Sequence, residues 1–167
     1  MKTLFLLRHA KSVKNDGTLV DFDRSLNDRG KADAKLIGTF LGDQKILPDL
    51  VLSSPAKRAR RTAELVLNAA DWNRTPEFEE RIYEASLYRL LEVISAFDLS
   101  NDMVMLVGHN PGFEELLAAL TGETARLPTC AVAAIELQVN DWAKASVRAG
   151  KLKWLVTPKS LKNEETP

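Results

Sequence analysis

Three short apolar runs, each closed by polar or turn-forming residues, constrain the fold of this chain most. The first, Thr3 to Leu7, stops at Arg8 and His9. The second, Asp49 to Leu52, stops at Ser53-Ser54-Pro55. The third and most apolar, Met103 to Val107, leads into Gly108-His109-Asn110-Pro111-Gly112. Short runs bounded in this way are buried strands. Helical periodicity fills the gaps. Asn27 is a candidate N-cap for a helix reaching about Gly42, with Leu36, Ile37, Phe40 and Leu41 at helical spacing. Pro55 suits the first turn of a helix ending near Ala70. Ser86 to Phe97 forms a third, striped by Leu87, Leu90, Leu91 and Ile94. A fourth carries Phe113, Leu116, Leu117 and Leu120 and closes at Gly122. Ala131 to Val139 and Lys151 to Thr157 read as later strands, the second more polar and edge-like. Such alternation predicts a layered α/β domain with a largely parallel central sheet. In these sheets ligands bind beyond the carboxyl ends of the strands.

Composition narrows the classes. The 167 residues suit one domain, expected over residues 1–161 with a frayed tail at 162–167. Lys+Arg and Asp+Glu both number 23, which argues against a bulk nucleic-acid binder. One Cys cannot form an internal disulfide, and two His with one Cys speak against a structural zinc site. The opening apolar run is too short for a signal-peptide core or a membrane span, so a cytoplasmic location without membrane partners is expected.

The two histidines are the chemical clue. His9 and His109 each directly follow a predicted strand of the same sheet. One such His is ordinarily structural; two at equivalent strand ends mark a site. Arg8 sharpens this, because a strand-end Arg is costly to bury unless it meets an anion. The run Lys57-Arg58-Ala59-Arg60-Arg61 opens a helix after another strand, a poor place for cations without a bound anion. The plainer reading, a solvated basic face, suits Lys57, Arg60 and Arg61. A small nucleic-acid patch lacks interleaved aromatics. Asp21, Asp23 and Arg24 read as surface pairing rather than as a pocket rim. Trp72, Trp142 and Trp154 read as packing residues, and Cys130 lacks a positioned basic partner for a catalytic thiol.

Leu7-Arg8-His9-Ala10, Ser53-Ser54-Pro55-x-x-Arg58-Ala59-x-x-Thr62-Ala63 and Gly108-His109-Asn110-Pro111-Gly112 together resemble the histidine phosphatase superfamily, the phosphoglycerate mutase-like group. Arg8-His9-Ala10-Lys11-Ser12, Asp21-Phe22-Asp23-Arg24, Tyr83-Glu84-Ala85-Ser86 and Pro158-Lys159-Ser160-Leu161 resemble its small SixA-like branch, whose members are named as phosphohistidine phosphatases. The resemblance runs from residue 3 to about 161. It implies a three-layer α/β sandwich, with a mostly parallel central sheet and helices on both faces. It also implies His9 as the nucleophile, Arg8 and Arg58 as phosphate ligands, His109 as the second pocket His and Asn15 near the phosphate. Ala10 stands where the most familiar motif has Gly.

These residue types fit phosphoryl transfer, which needs positioning and charge neutralisation above all. Arg8 and Arg58 would each offer a forked pair of donors. His109 would add a contact to the charged oxygens. Neutral His9, anchored through one ring nitrogen by a backbone carbonyl, would attack phosphorus near neutral pH, and titration near neutrality would report on this site. No metal or other cofactor is implied. The candidate general acid for an ester leaving group is Glu84, which equally reads as a helix-terminal charge. The expected function is a metal-independent phosphatase acting through phosphohistidine on a phosphorylated protein, with inorganic phosphate as product. The alternatives are a phosphatase of small phosphate esters and a non-catalytic phosphate-binding module.

Overall fold

The computed structural model describes residues 1–164. One sheet holds β1 (Lys2–Arg8), β2 (Leu50–Ser53), β3 (Glu77–Phe78), β4 (Met103–Gly108), β5 (Val132–Leu137) and β6 (Gly150–Val156). Their order is β3-β2-β4-β1-β5-β6. The β3-β2, β2-β4 and β4-β1 pairings are parallel; β5 and β6 add by antiparallel pairing. The central strands are covered on both faces, which is why they read as continuous apolar runs rather than alternating ones.

Among the described residues the α-helices of the outer layers are α1 (Asp28–Asp43), α2 (Lys57–Ala69), α3 (Leu87–Ser95), α4 (Gly112–Thr121) and α5 (Pro158–Glu164). Strand side chains alternate between the faces. Phe5 and Leu7 join Ile37 and Leu41 of α1, Val66 of α2 and Leu161 of α5 in one core. Leu4 and Leu6 join Leu90 and Ile94 of α3 and Leu116, Leu117 and Leu120 of α4 in the other. This is the expected three-layer sandwich. Trp142 is fully buried in the second core, and Trp72 and Trp154 pack against the first.

Several boundaries differ from expectation. The Asn27 side chain caps α1 by accepting from the Gly30 amide. Pro55 precedes α2 rather than opening its first turn: Ser54-Pro55-Ala56 form an entry bend in which Ser54 Oγ accepts from the Ala56 amide. The helix α3 ends at Ser95, and Val93 is more deeply buried than Leu91. The two-residue β3 is too short to leave a periodic signal. The expected tail begins inside α5, because Lys162 reaches back to the buried Asp33 carboxylate at 2.8 Å. Residues 165–167 of that tail lie outside the described residues. Among the described residues no helix is long and apolar enough to cross a membrane.

Geometry demands glycine at several positions, Gly122 and Gly38 among them. Gly122 ends α4 at φ 76°, the left-handed conformation that L side chains resist. Gly38 lets α1 lie against α2 so closely that an added Cβ would collide with the Val66 carbonyl and with Ala69 Cβ. Gly38→Ala is therefore expected to lower stability by about 1–3 kcal/mol through overpacking. Urea unfolding would show this as a lower midpoint with an unchanged slope.

Candidate active site

Strand register builds the site. Arg8 of β1 lies opposite Gly108 of β4, so the next residue in each chain segment, His9 and His109, emerges side by side. Their ring centroids are 5.2 Å apart. Ser53 of β2 lies opposite Val107 of β4, which delivers Ser54 beside His109 and starts α2 immediately afterwards. The first turn of α2 then supplies Arg58. Thr62, one turn on, ties the pieces together. Its Oγ1 accepts from the Ala10 amide at 2.9 Å and donates to the Arg58 carbonyl at 2.7 Å.

The ring chemistry of His9 follows from its neighbour. Nδ1 lies 2.8 Å from the Ala10 carbonyl, which only accepts, so Nδ1 carries the proton and Nε2 keeps its lone pair. This is the expected backbone anchor. His109 Nε2 lies 2.7 Å from Ser54 Oγ. That oxygen also accepts from the Ala56 amide, so Ser54 links the entry of α2 to the His109 ring. Burial, with help from Arg58 and Arg8, pushes the pKa of His9 down to about 4. Burial and the adjacent His9 push His109 down to about 3. Titration near neutrality is thus not where these rings respond, contrary to the expectation from their ordinary pKa.

The sign of the resulting pH dependence is definite. Both folded values lie below the ordinary 6.5, so the unfolded chain binds protons that the folded site refuses. The two rings therefore destabilise the fold progressively as pH falls from 6.5 towards 3, and contribute nothing above 6.5. For catalysis the lone pair on His9 persists to about pH 4. The acid limb of kcat/KM, corrected for the substrate's own ionisation, is expected near pH 4 instead of 6.5.

The arginines are held differently from the forked pairs expected. Arg8 donates one terminal nitrogen to the Leu127 carbonyl at 3.0 Å. That carbonyl also accepts from Asn110 Nδ2 at 2.9 Å, and Asn110 is fixed in turn by Glu114 at 2.7 Å. Arg58 directs both terminal nitrogens at Asp21, to its carbonyl at 2.8 Å and its Oδ2 at 3.0 Å. Arg8 Nε, Arg58 Nε and His109 Nδ1 are buried without a hydrogen-bond partner among the described residues. Leaving a buried Nε–H donor unmatched on each arginine is costly unless an anion completes it.

Asp21 is the residue that sequence reasoning undervalued. Its carboxylate gathers Arg58, the Tyr83 hydroxyl at 2.7 Å and Arg24 Nε at 3.1 Å. Burial would raise its pKa, but Tyr83 and Arg58 outweigh that and hold it below the usual carboxylate range. Burial and Asp21 together push Tyr83 up to about 12. The Tyr83 ring stands edge-on to His109 at 5.6 Å and to Phe22 at 5.2 Å. Asp21 and Tyr83 both lay inside quoted motifs, yet only folding joins them, since they are 62 positions apart.

Two cavities meet here. One of about 280 Å³ is lined by Arg8, His9, Arg24, Arg58 and His109. The other, about 500 Å³, shares Arg58 and His109 and adds Asp21, Tyr83 and Glu84. Glu84 thus sits on the rim, exposed and in the left-handed region at φ 53°. Asn15 is not brought in: it is exposed, and its Oδ1 accepts from the Gly17 amide to close a local turn. Cys130 is buried in the first core, and burial pushes its thiol far up, away from nucleophilic use.

Comparisons with known proteins bear on the family and the fold. The sequence profile of the histidine phosphatase superfamily (branch 1) matches residues 4–92. An uncharacterised chloroplastic protein of Arabidopsis thaliana is 33% identical over 174 residues, covering 95% of this chain and 79% of the relative. An uncharacterised protein of Mycobacterium tuberculosis is 32% identical over 148 residues, covering 82% and 90%. Among solved structures, a putative phosphohistidine phosphatase SixA from Agrobacterium tumefaciens superposes with a TM-score of 0.81 at 31% identity, covering 94% of this chain and 98% of that one. A family profile matching over half the sequence, joined to this fold, leads to one statement: the chain belongs to the histidine phosphatase superfamily and is similar to its SixA-like members.

Proposed function

We propose that the protein is a phosphatase that removes the phosphoryl group from phosphohistidine on a protein, through a covalent intermediate on His9. One observation carries the reading. The free Nε2 lone pair of His9 shares a cavity with His109 and with Arg8 and Arg58, whose buried Nε–H donors lack partners among the described residues. That combination suits a phosphoryl group: a nucleophile for phosphorus and donors for its oxygens. His9 Nε2 attacks, a new N–P bond forms, and the bond from phosphorus to the substrate nitrogen breaks. The departing imidazole nitrogen takes a proton. Water then cleaves the phosphohistidine, releasing inorganic phosphate and restoring His9. The two guanidinium groups neutralise the transferring group, the role a metal ion fills elsewhere.

The substrate class rests on two supports. The similar Agrobacterium protein bears the description putative phosphohistidine phosphatase. Residue chemistry agrees, because imidazole leaves more readily than an alkoxide, and the candidate acid Glu84 is an exposed rim residue. The reading is tested by comparing hydrolysis of a phosphohistidine peptide with that of p-nitrophenyl phosphate and alkyl phosphates. Glu84→Gln is expected to lower alkyl phosphate hydrolysis by roughly 10²–10⁴-fold and to leave the phosphohistidine rate within a small factor. Fast ester turnover with an untouched phosphohistidine peptide would assign the site to small esters instead.

A further inference from the structure

The rim of the site is electrically polarised, although the chain as a whole is neutral. On one side a third cavity, about 390 Å³, is lined by Lys31, Lys57, Arg60 and Arg61, with Glu64 the only carboxylate. Glu64 is already committed to Arg61 at 3.3 Å. This cavity abuts the catalytic one. Lys57 lines it while the next residue, Arg58, lines the site, and Ser25 and Arg24 divide in the same way. Lys11 and Lys14 extend the basic side along the smaller catalytic cavity. Lys11, Lys14, Lys31 and Lys57 are exposed and make no ion pair or side-chain hydrogen bond among the described residues.

The opposite side has the other sign. Glu84 and Glu115 line the larger catalytic cavity, and Glu80 continues along the neighbouring surface. All three are exposed and in no ion pair among the described residues. The cations nearby are neutralised: Arg81 by Glu79 at 2.9 Å and Arg89 by Glu92 at 3.6 Å. The loop carrying Asp21, which lines the larger cavity, exposes Leu19, Val20 and Phe22. A polarised rim with an apolar strip is the anatomy of a protein-docking surface.

The arrangement works against the isolated chain. Lys57, Arg60 and Arg61 stand at i, i+3 and i+4 on α2, where like charges repel, and at the helix end that disfavours cations. A complementary anionic surface on a partner would offset that repulsion.

We propose that Lys31 and Lys57, with Lys11 and Lys14, form a docking surface for an acidic face of the phosphoprotein substrate, which lies beside its phosphorylated side chain. This rests on the phosphohistidine reading above. The acidic side of the rim fixes the orientation, because the partner's acidic face is repelled from Glu80, Glu84 and Glu115. The same three carboxylates oppose a flat anionic membrane and an extended phosphate backbone alike.

The test uses the full chain, two phosphohistidine peptides and p-nitrophenyl phosphate. One peptide carries a block of glutamates on one side of the phosphohistidine; the other has glutamines there. The glutamate peptide is expected to show about tenfold lower KM, a preference that fades with added salt. Lys31→Glu/Lys57→Glu is expected to remove that preference while leaving kcat for both peptides, and all ester kinetics, unchanged. Equal KM for both peptides, or a preference that survives the double variant, overturns the docking surface and spares the phosphohistidine activity. Hydrolysis of the ester without either peptide overturns the activity and the docking surface together. Retention of single-stranded RNA or phosphatidylserine vesicles that the double variant abolishes, with no change in peptide KM, also overturns it.

Discussion

His9→Ala is expected to lower turnover by roughly 10⁴- to 10⁶-fold, the scale seen when a covalent nucleophile is removed. The physical basis is specific to this ring. The Ala10 carbonyl holds the proton on Nδ1, and burial keeps Nε2 unprotonated to about pH 4. His109 is held differently, because its Nε2 is already hydrogen-bonded to Ser54 Oγ. Rapid quenching into alkaline denaturant, followed by mass spectrometry, should find phosphate on His9 in the wild type and no adduct in His9→Ala. Phosphate on another residue, or a variant that turns over normally, would reassign the nucleophile. Removing a buried ring also leaves a cavity, so folding of the variant should be verified by its unfolding midpoint.

Arg58→Lys is expected to cost roughly 10³- to 10⁵-fold in kcat/KM, comparable to loss of an arginine that stabilises a transferring phosphoryl group. The conservative change is informative because Arg58 does two jobs at once. Its terminal nitrogens grip Asp21, and its buried Nε remains as a donor for an anion. A lysine ammonium can keep the ion pair with Asp21 but has no second, separately directed N–H to offer. Thermal stability should therefore fall little while activity collapses. If stability and activity fall in parallel, Arg58 is mainly a strut for the Asp21 loop. Asp21→Asn separates the same roles from the other side. It weakens the hold on Arg58 and Tyr83 without removing a phosphate donor, so its activity loss should be smaller.

Much of this was legible in the residue order. Chain-local signals suffice for an apolar strand, a capped helix or a terminating glycine, because they depend on propensities and periodicities within a few residues. They marked Asn27 as a cap and Gly122 as a helix end. They also placed His9, His109 and Arg58 just beyond strands, where open sheets bind ligands. Local signals failed where the outcome depended on distant partners. Asp21 and Asn15 are both polar loop residues, and nothing nearby in sequence separates them. Folding gives Asp21 to Arg58 and Tyr83, and gives Asn15 only the Gly17 amide.

The sequence by itself determined every strand and α-helix but β3 and α5, together with the residue types for phosphate chemistry and the family motifs that carry them. Tertiary structure alone decided that β1 and β4 are parallel neighbours in the register that sets the two histidine rings 5.2 Å apart. It also decided that the Arg58 fork is spent on Asp21, and that burial moves both histidines well below neutrality. The physical reason is common to all three. Strand register, ion-pair choice and desolvation are through-space quantities set by residues tens of positions apart, and no local periodicity encodes them.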